Sequence, residues 1–271
     1  MTPTNTLLTS LWLIIIAATL SFAAPPVPEG LTYQLLWEGM RVGSSSIETQ
    51  RKENGLEIIS RVDTTSWSRL FYKIEDVETS NLRQSGDDLT LDSYMMHLQE
   101  GSGNWQRTFS VDPSASTVEH VNLITSEKRT YPFNDQVWDP VSSLYYLRHI
   151  PLTPGQSVKI AVIDRQGQKK VEVLVMRKES VTTPAGTFRT VVVSSQMSIQ
   201  SEGLFYSPGP LTIWLTDDDQ RVPVVIEKRI HGLFNRGVPA WLKIFIPKSI
   251  KSDLSALETV RAELLFRENT H

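Results

Sequence analysis

The feature that most constrains this chain is a recurring pattern of short runs in which apolar and polar residues alternate, punctuated by turn-forming clusters. A strand shows its two faces with a period of two residues, whereas a helix repeats every 3.6. The clearest instance is Ile213–Lys228, IWLTDDDQRVPVVIEK, where two apolar arms flank Asp217, Asp218, Asp219 and Gln220. That is how a tight antiparallel hairpin is written. Pro223 cannot donate to a ladder, so its arm is expected to lie on a sheet edge or to begin beside a bulge.

Most of the remaining chain repeats the pattern. Leu31–Trp37 alternates except at Leu36. Gly39 and Gly43 then bracket Met40–Val42, which reads as a strand-turn-strand passage into Ile47–Thr49. Leu56–Val62 places Leu56, Ile58 and Val62 on one face. Leu89–Leu98 pairs with Asn104–Asp112 through Gly101 and Gly103, and Arg107 sits anomalously on the mainly apolar face of Trp105, Phe109 and Val111, as at a cavity mouth or a paired edge. Val158–Asp164 and Lys170–Met176 form a hairpin around Gly167, and a turn at Thr183–Phe188 leads into Arg189–Ile199. Leu254–Phe266 fits both a helical stripe and a strand. The strand, starting after about Leu257, is preferred, with Val260, Ala262, Leu264 and Phe266 on one face and Arg261, Glu263 and Arg267 on the other.

One helix interrupts the strands, at Asp139–His149. Asp139 is a good N-cap, Pro140 suits the first helical position, and Pro151 with Pro154-Gly155 stops it. The expected fold is therefore mainly β, a single large antiparallel curled sheet or half-barrel of about a dozen strands, in meander order with one short helix.

Leu7–Ala24 is almost wholly apolar and gives way to Pro25, Pro26 and Pro28. Ser21 and Ala23 fit a signal-peptidase site, so residues 1–23 read as a signal peptide cleaved after Ala23. The stretch before it has no Lys or Arg, and the apolar run approaches the roughly 18 to 20 residues that span a bilayer, so an uncleaved N-terminal anchor is the alternative. Either reading puts residues 24–271, one all-β domain without a Gly- or Pro-rich linker, outside the cytoplasm. The chain has no cysteine, which excludes disulfides and thiolate chemistry, and its net charge of −3 argues against nucleic acid as a partner.

Chemistry-bearing patterns are sparse. His97, His120, His149, His231 and His271 show no metal-ligand spacing, and Asp217–Asp219 lacks the alternation, Gly and distal Glu of a calcium loop. Ser142 and Ser143 have no nucleophile-elbow context. The expectation is no catalytic residue, no metal and no cofactor, hence a non-enzymatic protein. A curled sheet around a helix could instead enclose a slot for an elongated apolar molecule, lined by Trp37, Trp67, Phe71, Trp105, Phe109, Tyr145 and Trp214. The plainer alternative is that these aromatics fill a solid core.

The segments LTYQLLWEGMRVGS, DPVSSLYYLRHIPLTPGQ, VTTPAGTFRT and WLTDDDQRVPV occur in an order that resembles the bacterial exported family called domain of unknown function 3108, over about Gly30–Leu265. The resemblance implies a periplasmic, largely antiparallel β protein without an assigned activity. A fainter likeness, confined to Trp214-Leu215, Asp217–Asp219 and Pro223, is to the lipoprotein-carrier half-barrels of the bacterial periplasm. Together these readings lead to the expectation of a cell-envelope protein that binds a lipid-like or other hydrophobic molecule. The alternatives are a solid-core scaffold with an envelope protein partner, docking through an edge near Pro223 or the basic-apolar stretch Trp241–Lys251, and an unrecognised enzyme acting on envelope polysaccharide.

Overall fold

In the computed structural model the described residues are 27–70, 72–86, 88–197, 209–231 and 257–268. The apolar N-terminal segment, Phe71, Trp241–Lys251 and His271 lie outside them. Among the described residues alternation becomes fifteen strands. The first eight are β1 (Glu29–Trp37), β2 (Met40–Lys52), β3 (Gly55–Thr64), β4 (Ile74–Ser85), β5 (Asp88–Glu100), β6 (Gly103–Asp112), β7 (Thr117–Asn122) and β8 (Lys128–Pro132). A two-residue strand β9 (Val137–Trp138) precedes the helix α1 (Pro140–Leu147). Then come β10 (Ser157–Asp164), β11 (Gly167–Thr183), β12 (Gly186–Met197), β13 (Gly209–Thr216), β14 (Pro223–His231) and β15 (Leu257–Glu268).

All fifteen belong to one sheet, in the order β8-β7-β6-β5-β4-β3-β2-β1-β15-β14-β13-β12-β11-β10-β9. Each neighbour is antiparallel except β9, which runs parallel to β10. The order is that of a continuous meander cut at one point. First and last strands pair in the middle, and the two edges, β8 and β9, are consecutive in the chain. The sheet curls but does not close. Across the gap, Tyr131 donates to the Arg165 carbonyl (2.7 Å), the Asn134 amide donates to Gln168 Oε1 (3.0 Å), and Lys170 pairs with Asp135 (2.9 Å). These contacts hold the seam without a backbone ladder. Lys128, Arg129 and Pro132 occupy the β8 edge, the residue types that discourage edge-to-edge aggregation.

The structure revises several local expectations. Gly43 is not a turn, because β2 runs unbroken through it. A Cβ there would stand 2.3 Å from the Asp63 carbonyl oxygen, so the glycine permits close approach of β3. Pro223 begins β14 beside a register shift at Trp214/Leu215, the bulge alternative. β14 lies between β13 and β15 and is no edge. In β15 a shift opposite Thr32/Tyr33 reverses the alternation, so Phe266 turns outward, 47% exposed, and Arg267 turns inward to Glu29.

The buried apolar residues form two clusters. The larger joins β3–β7, α1, β9 and β10–β13; the smaller centres on β1, β14 and β15.

Candidate functional site

The helix is the internal wall of the curl, and polar groups pin both its ends. At its start, Asp139 is fully buried. Its Oδ1 accepts from the Val141 and Ser142 amides (2.8 and 3.1 Å) and from Ser80 Oγ on β4 (2.7 Å). Ser142 Oγ donates to Asp139 Oδ2 (2.5 Å) and accepts from the Asp139 amide (3.0 Å), completing a capping box. Burial raises the Asp139 carboxyl above the usual range, against the lowering effect of these donors. Ser142 is thus a cap, and Ser143 bonds the Pro140 carbonyl (2.8 Å).

At the other end, Arg148 makes a bidentate pair with Glu29 of β1 (2.6 and 3.0 Å), and both side chains are almost wholly buried. Arg267 adds a second cation to Glu29 (2.7 Å). Arg148 Nε donates to the Gln220 carbonyl (3.1 Å), and Arg221 donates to the Ile150 carbonyl. Asp218 shapes this hairpin by accepting from Thr216 Oγ1 and the amides of Gln220 and Arg221 (2.7, 3.0 and 3.0 Å). The acidic hairpin is therefore a clasp on the helix C-terminus, although Asp218 and Asp219 are themselves exposed.

Between the two pins a partly open cavity of about 190 Å³ separates the helix from the sheet. Val141, Leu144 and Leu147 line it from the helix. Opposite them, residues paired directly across strands share a face. One such row, Leu35, Ala262, Ile226, Ile213 and Val193, crosses β1, β15, β14, β13 and β12, and every member lines the cavity. Ile160, Val162, Val171 and Val173 extend the aliphatic wall over β10 and β11. The polar lining includes Ser45, Ser60 and Glu78, and Glu78 accepts from the Tyr94 hydroxyl.

The expected aromatics are dispersed. Trp37 faces the concave side and donates to Glu258 (2.9 Å). Trp67 is 46% exposed in the loop before β4, and Phe71 lies outside the described residues. Trp105 lies over Gly103 against the larger core cluster. Phe109 stacks on His120 (4.8 Å between centroids), and Tyr145 packs beside His149 (4.5 Å). Trp214 is on the opposite, convex face from Ile213, donating to Glu179 (2.7 Å) under the Arg261 guanidinium. Phe109 and Tyr145 share the larger cluster, but none of the six described aromatics lines the cavity. Its lining is aliphatic, and the signal for it was the β-branched alternation of β10–β14. Arg107 is buried on an interior strand, beside His120 at 3.3 Å, away from the cavity.

The strands also carry buried ionisable groups, among them Asp76, whose place in the acidic run Glu75–Glu78 reads from sequence as strand-edge charge. Asp76 on β4 has its pKa pushed up to about 8 by burial and by the Glu100 carboxylate, against a hydrogen bond from the Gln99 amide. Lys228 on β14 is fully buried, which lowers its amine to about 8. Among the described residues no three His, Cys, Asp or Glu side chains converge as metal ligands.

Comparison with known proteins bears on fold and family. A β-barrel-like protein of domain of unknown function DUF1849 from Brucella abortus aligns over 91% of this chain and 99% of its own, at 10% identity and a TM-score of 0.50. A Bacteroides fragilis protein with a YmcC-like fold covers 92% and 99%, at 15% identity and a TM-score of 0.34. No curated protein matches the sequence. The family model described as "Protein of unknown function (DUF3108)" matches residues 32–231, which includes fourteen of the fifteen strands in whole or in part. By this match, which covers well over half of its length, the chain belongs to the DUF3108 family.

Proposed function

We propose that this is a non-enzymatic protein of the bacterial cell envelope that holds the acyl chain of a lipid-like molecule between α1 and the curled sheet. The observation that carries the reading is the cavity of about 190 Å³ with its aliphatic walls. At roughly 30 Å³ per water that volume equals about six waters, which suits a slim chain better than a bulky ring system. Concave, mostly apolar sites with a few polar groups are the usual form of small-molecule pockets. The rigid helix pins favour a preformed slot, which lowers the ordering cost of binding. The envelope location draws on the apolar segment Leu7–Ala24 and the small residues at Ser21 and Ala23.

Native mass spectrometry of protein purified gently from a periplasmic extract tests the reading. A co-purifying lipid-range mass, lost in a Val193→Phe variant that keeps its β circular dichroism, is the expected result. A bare mass, together with no binding of any saturated chain of eight to sixteen carbons, overturns it.

A second reading, docking of an envelope protein, draws on a different observation. Met40 at the start of β2 and Trp67, Leu70, Leu123 and Ile124 in the loops that join β3–β4 and β7–β8 are exposed, and the meander places them all at one end of the sheet. Crosslinking from Leu70 to a stoichiometric partner would support this second reading.

A further inference from the structure

We infer that the cavity takes a chain ending in a single anionic head, carboxylate or phosphate, and that Lys228 holds that head; the inference rests on the acyl-binding reading above. Lys228 stands in the cross-strand row next to the one that forms the cavity wall. It pairs directly with Leu211, Leu211 with Ser195, and Ser195 with Val173. Those three residues line the cavity, so Lys228 continues their row on the concave face, two positions along β14 from the lining residue Ile226.

The side chain is fully buried and runs towards the start of β13, where Nζ donates to the Gly209 carbonyl (2.8 Å). An ammonium carries three donors, and this bond uses one. The other described groups on its neighbouring strand positions are apolar, turned away or engaged elsewhere. Leu211 and Val260 flank it across the ladder, Glu227 and Arg229 point to the convex face, and Glu258, on the concave face of β15, is engaged by Trp37. Burial alone accounts for the depressed basicity of the amine, with no carboxylate of the described residues offsetting it. A buried amine with no counterion among the described residues is costly in a solid core, and it is the group that an incoming anion would compensate. Aliphatic walls for a chain, with a cation one residue beyond the lining residue Leu211 in its cross-strand row, are the two halves of recognition for an anionic amphiphile.

The test compares three tail-matched probes, decanoate, decyl phosphate and decanol, by isothermal titration at pH 7 on the full chain and on Lys228→Met, which keeps the length and apolar stem. The expected result is binding of at least one anionic probe about tenfold or more tighter than decanol, with the preference lost in Lys228→Met while decanol affinity stays. Which anion binds tighter distinguishes a carboxylate from a phosphate source. In the unmodified chain the preference should also fall as pH rises from 7 to 9 and the amine discharges, a readout that does not depend on the variant. Equal affinity for anions and alcohol, or a preference that survives both Lys228→Met and pH 9, overturns the inference but leaves the acyl reading standing. Binding of none of the three overturns both.

Discussion

The concave faces of the two halves of the sheet differ in chemistry although they share one curl. On β4–β7 the buried positions include Asp76, Ser80, Glu100, Arg107 and His120. On β10–β14 they are mainly Ile160, Val162, Val173, Val175, Val193, Ile213 and Ile230. The polar half spends its buried groups on protein partners. Ser80 holds Asp139, Asp76 takes the Gln99 amide, and Arg107 stands against His120. The aliphatic half has few such groups, and the cavity opens mainly against it. A buried polar group demands a specific partner and so fixes geometry, whereas a wall of branched aliphatics can border an empty space without leaving bonds unmade. The helix is tied to the polar half at its N-cap, and at its other end to Glu29 on β1 and to the Gln220 hairpin between β13 and β14 of the aliphatic half.

Cutting the second tie should have the largest effect. Arg148→Met removes one partner of a buried ion pair and should cost about 3–5 kcal/mol, read as a fall in the urea midpoint; a loss below 1 kcal/mol would mean that the helix is held by apolar packing alone. Next comes the acid pair of the polar half. Because the pKa of Asp76 is raised to about 8 in the folded state, the folded protein binds more protons than the unfolded chain between pH 4 and pH 8. The stability contribution is full below the unfolded value and is lost as pH rises through 8, at up to about 1.4 kcal/mol per pH unit for one proton. Asp76→Asn should flatten that slope and leave the variant several kcal/mol more stable than the parent at pH 8, measured by urea titration across pH 4–9. An unchanged slope would place the titration elsewhere.

Lys228 has the opposite sign. With its amine depressed to about 8, the folded state binds fewer protons than the unfolded chain, so the parent should gain stability as pH rises from 8 towards 10.5. Lys228→Met should remove that gain and, at pH 7, stabilise the ligand-free protein by about 1–2 kcal/mol; a destabilised variant would show that the amine is satisfied by the protein itself. The smallest change is expected of Ser80→Ala, about 1 kcal/mol from one hydrogen bond to a cap that keeps its other donors, detectable as a modest drop in melting temperature.

These features were unequally legible in the sequence. The helix and its cap were readable because capping and proline placement are local. The Ile213–Lys228 hairpin was readable for the same reason, and so was the bulge alternative at Pro223. The inward turn of Arg267 was hidden because a single-residue bulge, set by pairing with a strand some 230 positions away, inverts the face of everything beyond it. The cavity's place was hidden for a related reason, since it depends on which rows of distant strands come level. Reading large aromatics as lining favoured residue size, while the slot is bordered by Val, Ile and Leu whose alternation also describes an ordinary core. A lysine in an alternating strand is ordinarily an outer charge, so nothing local marks Lys228 as buried, yet Ile226, Lys228 and Ile230 share one face.

The pairing of β1 with β15 has a consequence for how the molecule forms. Hairpin-joined neighbours can zip together as soon as each is made, but the ladder that unites the two halves links residues about as far apart in sequence as the described chain allows. Closing so long a loop carries a large entropic cost before any contact repays it, and folds dominated by such pairings are slow. Until β15 is in place, β1 and β14 each present an unpaired central edge. Folding intermediates of this protein should therefore be two curled half-sheets with sticky inner margins, and a chaperone that shields those margins would matter more to its yield than one that shields the outer edges.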